Sequence, residues 1–420
     1  MKSIYEEIVE ELKKNDGVLG EDFAPEAALV QLAMRDEDGN VVETESPFDE
    51  GEGEEGPFTP HWAPGALDGV LLYHTAPEEP TEKDIENTGK AIERLVNEGE
   101  MEFLETLADI EIPTIWNVGA IHDYIMERQE DLDPNIMVSR ALNIMEGAHD
   151  LEAIKFALAI SALVDLSVDK HAVEVVRNLS RYDEFTVFCI YNFLAWQEMS
   201  PEKEILDAAK HVTGWGRVHA VSSLDMVRNV EGVSNETKDW VFVHGVENGV
   251  LPSYTAEPSF MISECEKKIE EELNVEDLGN LADIMAALFE EPQYGINSIE
   301  LEEGTIDDMI KKMLAKAEGF LDAPPSDDED EVEVTTAKLL RMVMRIKEYL
   351  SWEDEDLEKD EEDEEDEEEL YEVVDEELLG DITPEEGSVE YWEISGEEIA
   401  ASDAMREEIV GICDRIIGKV

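Results

Sequence analysis

Gly214-Trp-Gly-Arg-Val-His219 invites a functional reading, because two glycines flank Trp215 and bring Arg217 and His219 close together. The competing reading is a helix–helix corner. Glycines there give the backbone freedom to turn, Trp215 fills the wedge, and Arg217 ties carbonyls or a neighbouring carboxylate. The corner is the reading adopted. His211, His219 and His244 with Asp239 or Glu247 are the residues from which a metal site would have to be built. No spacing among them matches a compact ligand set such as HExxH, so no metal is assigned.

Tyr182, Phe185, Phe188, Tyr191, Phe193 and Trp196 form a dense aromatic run, whose spacing reads as a core stripe before it reads as a ligand pocket. The chain has no GxGxxG after a strand, no GxxxxGK[ST], no GxSxG and no haem-thiolate loop around a cysteine. Its carboxylates are too abundant for a catalytic pair to be singled out, and Asp36-Glu-Asp-Gly-Asn40 does not follow the calcium-loop pattern. No catalytic residue is assigned. The candidate binding residues are Tyr182, Trp196, Trp215, Arg217, His219, Trp240 and His244.

Positioning these residues falls to blocks of helical periodicity of roughly 15 residues, paired into units of about 35 to 45, the pattern of an α-solenoid in which each unit buries its apolar face against the next. The expected fold is all-α, a right-handed solenoid of HEAT/armadillo-like helix pairs over residues 80–321. Residues 1–79 form an N-terminal cap region with a linker, and 322–420 an acidic C-terminal extension. Helices are expected over 3–14, 82–97, 112–129, 135–148, 151–166, 169–179, 184–198, 256–273, 275–290, 305–321, 335–352 and 405–417, with further starts at Ser200-Pro201 and Ser234. Residues 28–42 read as a hairpin or, alternatively, as a helix over 25–34. Gly65–His74 reads as a short buried segment capping the array. Glu353–Glu369, with fifteen acids in seventeen residues, is expected to be disordered.

The net charge is −77. Residues 322–403 hold 35 acidic and five basic side chains, so acidity extends through the rest of the chain as well. Such a surface repels nucleic acid and anionic lipid, and it favours a basic protein partner. A salt-adapted host is a second explanation, against which Lys outnumbers Arg by 19 to 12. Three separated cysteines suggest a reducing compartment, and no apolar stretch is long enough to cross a bilayer, so a cytoplasmic protein is expected.

Thr213-Gly-Trp-Gly-Arg-Val-His-Ala-Val221, Thr237-Lys-Asp-Trp-Val-Phe-Val-His-Gly245 and Pro252-Ser-Tyr-Thr-Ala256 resemble segments of a bacterial family of HEAT-like helical-repeat proteins. Gly17–Phe23 and Gly65–His74 share that resemblance, which covers the chain to about residue 290. Some members are labelled limonene hydroxylase, which implies a monooxygenase using FAD or NAD(P)H. The resemblance carries over no catalytic residues, and here the motif runs on as Ala220-Val-Ser-Ser-Leu224, without the charged residue expected after the valine. The residues themselves point instead to a non-catalytic scaffold without a cofactor, contacting a basic protein.

Overall fold

A computed structural model describes residues 2–20, 23–34, 41–42, 60–299, 305–324, 326, 328–367 and 396–419. Among these residues the protein is all-helical: it has no strand, and one isolated bridge joins Ala33 to His61. The chain divides into two compact units, 1–251 and 252–420.

The first unit opens with α1 (Ile4–Lys14), α2 (Glu26–Leu32) and α3 (Ala66–Tyr73). The succession then runs α4 (Glu82–Asn97), α5 (Glu100–Leu107), α6 (Thr114–Glu127), α7 (Pro134–Gly147) and α8 (Leu151–Ser161). It ends with α9 (Lys170–Leu179), α10 (Asp183–Ala195), α11 (Pro201–His211), α12 (Trp215–Glu231) and α13 (Asn235–His244). Many of the starts are set locally. Ser3 with Glu6 and Thr81 with Asp84 make reciprocal capping boxes, and Asp133, Asp150, Asp169 and Ser234 accept from the first free amides of their helices. Residues 26–32 are helical, so the helix reading prevails over the hairpin there.

Most of the larger packing partners are near in sequence. The α8 helix lies against α6, α7 and α10, and α10 against α8, α9, α11 and α12. Since α8 is covered from several sides, every residue from Ala153 to Ser161 is buried, which is why its sequence is apolar almost all round. Two N-terminal elements depart from sequence order. The α1 helix packs on α7 and α9, with the Ile4 amide donating to the Ala148 carbonyl at 3.1 Å. The α3 helix does not cap the end of the succession. It meets residues of α8, α10 and α12.

The second unit holds α14 (Ala256–Ile262), α15 (Cys265–Glu270), α16 (Val275–Leu288), α17 (Thr305–Asp322), α18 (Glu329–Glu367) and α19 (Gly396–Ile417). A single helix over 256–273 is expected, but Glu264 takes φ +53° and divides α14 from α15. The α18 helix buries Leu339, Met342, Val343, Ile346 and Leu350, chiefly on α16. Its backbone stays helical through the acidic run to Glu367, where disorder is expected from the sequence. Helical hydrogen bonds close within a segment and need no burial, and Glu is a good helix former. Residues 368 and 369 lie outside the described residues. The α19 helix docks on α17 and α18 through Ile409, Cys413 and Ile416. No helix among the described residues is long and apolar enough to cross a membrane.

Candidate functional site

The seven candidate residues fall into separate neighbourhoods. Trp215 and His219 are buried one turn apart on α12, and Tyr73 of α3 packs on both, at ring-centroid distances of 5.6 and 5.9 Å. Arg217 lies on another face. Its Nε donates to the Ala209 carbonyl at 3.2 Å and its Nη1 to the Glu247 carbonyl at 2.7 Å, while the guanidinium sits 5.6 Å from the Trp240 ring. Trp240 stacks on His244, whose Nδ1 is 2.9 Å from Glu247 Oε2. Tyr182 packs against Phe23 and Phe185, and Trp196 against Phe193. Tyr182 and Trp196 are buried, as are Phe185, Phe188 and Phe193, so most of the aromatic run is core.

The histidines considered for a metal have different neighbours: His211 Nδ1 contacts the Asp207 carbonyl, His219 the aromatic pair, and His244 Glu247. Among the described residues no group of three or more His, Cys, Asp or Glu is arranged to hold a metal ion.

Arg217 ties carbonyls across the α11–α12 corner as expected, but the glycines there serve another end. Neither Gly214 nor Gly216 has positive φ. Each is small because α10 comes close: a β-carbon would stand 2.9 Å from Asp183 Oδ1 at position 214 and 2.5 Å from Thr186 Oγ1 at position 216. Asp183 Oδ1 accepts from the amides of Gly214 and Gly216, both at 2.8 Å, so a carboxylate from α10 caps α12. Burial pushes the Asp183 carboxyl up, against the pull of those two amides and Arg217.

Beneath α3 lies a charged cluster around a buried lysine, which the sequence reading missed. The Lys155 ammonium is fully buried, 2.7 Å from Asp68 Oδ2, 2.7 Å from Glu184 Oε1 and 3.1 Å from Glu152 Oε1. Glu184 Oε2 accepts from the Gly65 amide at 2.6 Å, and Glu152 Oε2 from the Thr114 amide at 3.0 Å. The Phe188 ring lies 5.9 Å from the ammonium. The cluster thus joins α3, α6, α8 and α10. Two charges isolated in apolar surroundings could have signalled it: Lys155 inside Ala153–Ser161 and Asp68 inside Ala66–Leu72.

Burial disfavours the charged amine of Lys155, but Glu152, Glu184 and Asp68 outweigh it and hold its pKa well above the usual value. The lysine therefore stays an ammonium and offers no nucleophilic amine. Burial pushes the Asp68 carboxyl up to about 7 despite the attraction of Lys155, whereas Lys155 and Thr114 hold Glu152 below its ordinary value against burial. Burial alone drives His219 down to about 4, and among the described residues its Nε2 has no hydrogen-bond partner. Lys155, Asp68, Glu184 and His219 are buried while Glu152 reaches solvent, and the arrangement works as an ionic clamp that seats α3. No family model, curated protein or solved structure matches this chain.

Proposed function

We propose that this protein is a non-catalytic helical-repeat scaffold for protein–protein interaction, an α-solenoid of HEAT/armadillo-like pairs whose acidic surface selects a basic partner. The observation that carries the reading is the succession from α6 to α12. There α8 and α10 each pack on the helix two places before and two places after, as stacked repeat pairs do.

The disposition of the polar side chains supports it. Arg217 is spent on backbone carbonyls, Lys155 is locked as an ammonium, and Asp183 caps a helix, so these groups act in holding helices together. The monooxygenase reading draws no comparable support. It needs a redox cofactor, FAD or NAD(P)H, and an apolar pocket, and the aromatic run offered as a lining for that pocket lies mostly in core packing. The free, buried cysteines Cys189, Cys265 and Cys413 suit a cytoplasmic setting.

The net charge of −77 makes partner choice electrostatic, so association should weaken steeply with salt. The test is capture on the immobilised full chain at low ionic strength, followed by a salt gradient and mass spectrometry. Bound proteins enriched in basic sequences and released by salt are expected. Capture without charge bias or salt dependence would overturn the reading.

A further inference from the structure

The first unit carries an apolar groove of about 800 Å3 between α5, the start of α6 and the α7–α8 turn. Met101, Leu104 and Leu107 form its wall from the outer stripe of α5, and Leu67 of α3, Ile110 and Ile112 complete it. The opposite side of α5 is spent on the core through Phe103 and Thr106. Met101 is 68% exposed and Leu67 40%, so the groove leaves large apolar side chains in water. Its charged lining residues are Glu111, Asp150 and Glu152, with His149 beside them and no Lys or Arg.

Glu152 connects the groove to the buried cluster. Three carboxyl groups share the one ammonium of Lys155. The Asp68 and Glu184 side chains are each 3% exposed, whereas that of Glu152 is 41% exposed. The surplus negative charge therefore faces solvent at the carboxylate that lines the groove. We propose that this groove is the docking site for an amphipathic helix of a basic protein partner, whose apolar face covers the α5 stripe and whose Lys or Arg pairs with Glu152. The proposal rests on the scaffold reading and names the site at which it operates. Met101, Leu104 and Leu107 lie at i, i+3 and i+6 along α5, and a helix with anchors at i, i+3 or i+4 and i+7 presents its apolar side chains over a comparable length. A cation placed at Glu152 meets a carboxylate already oriented by Thr114 and Lys155.

The test uses the full chain and two fluorescein-labelled helical peptides with leucines at i, i+4 and i+7, one carrying a single lysine beside the leucine stripe and the other a glutamate in its place. Fluorescence anisotropy should show the lysine peptide binding about tenfold more tightly, equivalent to about 1.4 kcal/mol. Glu152→Gln should remove most of that preference. Met101→Asp with Leu104→Asp, at positions that leave the core intact by thermal melt, should weaken both peptides by about tenfold or more. Equal binding of the two peptides, or no binding of either, overturns the proposal. If the lysine peptide binds the Met101→Asp, Leu104→Asp chain as well as the parent, the groove is not the site, while salt-sensitive capture of basic proteins leaves the scaffold reading standing. Self-association abolished by the same pair of substitutions would put a second copy in the groove, which also overturns it.

Discussion

The Trp215 indole lies so close over Gly69 that a β-carbon there would stand 2.3 Å from Cδ2 and Cε3 of the ring. The contact brings α3 onto α12 at the helix–helix corner, and Tyr73 extends it by packing on Trp215 and His219. The corner motif and the early Gly65–His74 segment are thus two halves of one packing unit. The Lys155 cluster holds the same helix through Asp68 and, by way of Glu184, the Gly65 amide.

Gly69→Ala should destabilise the protein by about 1–3 kcal/mol, the usual cost of forcing a methyl into a filled space. The displaced indole should shift tryptophan emission toward the red. Urea unfolding with fluorescence detection measures both. A stability equal to that of the parent chain would mean that α3 does not seat on Trp215.

Lys155→Met leaves three carboxyl groups crowded without their cation. Removing one partner of a buried ionic set costs about 3–5 kcal/mol, because the remaining charge stays desolvated. Adding Asp68→Asn should recover part of the loss by removing one of the stranded acids. Thermal melts of the single and double variants decide the matter, and a double variant less stable than Lys155→Met would contradict the expectation.

The pH dependence has two opposing limbs. Asp68 holds its proton to about 7 in the fold against an ordinary 3.8, so in that window the folded chain binds more protons than the unfolded chain. Its contribution favours the fold at low pH and is lost as pH rises toward 7. His219 is depressed to about 4 from 6.5, so the unfolded chain gains a proton first as pH falls and stability drops below 6.5. In urea titrations over pH 4–7.5, Asp68→Asn should flatten the first limb and His219→Phe the second. A slope unchanged by either substitution would remove that residue from the account.

Arg217→Ala strips the Ala209 and Glu247 carbonyls of their donor and exposes the Trp240 face. A loss of about 1–3 kcal/mol is expected from the two bonds to a charged donor, with peptide affinity at the groove unchanged. Weakened peptide binding in a chain still folded by circular dichroism would return the corner to the list of partner contacts.

Much of the helical layout was legible because helix formation is local. Ser3, Thr81, Asp133-Pro134 and Ser234 announce starts that the structure keeps, and the apolar surround of α8 announces its central place. The short α5 was not foreseen, since eight residues carry little periodic signal. The break at Glu264 arises in a left-handed backbone turn that no glycine marks.

The candidate residues show the same division. The sequence by itself determined an all-helical chain, a strongly acidic surface and a corner at Gly214–Arg217, because propensity, charge and capping are properties of neighbouring residues. It also indicated that Tyr182 and Trp196 belong to a core-like aromatic run. Only the tertiary structure decided that α3 docks beside that corner, that Gly214 and Gly216 are small to admit Asp183 and Thr186, and that Asp68, Glu152 and Glu184 converge on Lys155. Those choices depend on which distant segments share a volume. In a chain with 108 acidic residues, the isolated charge of Asp68 is a local hint, but no local pattern marks Glu152 and Glu184 as its partners around one ammonium.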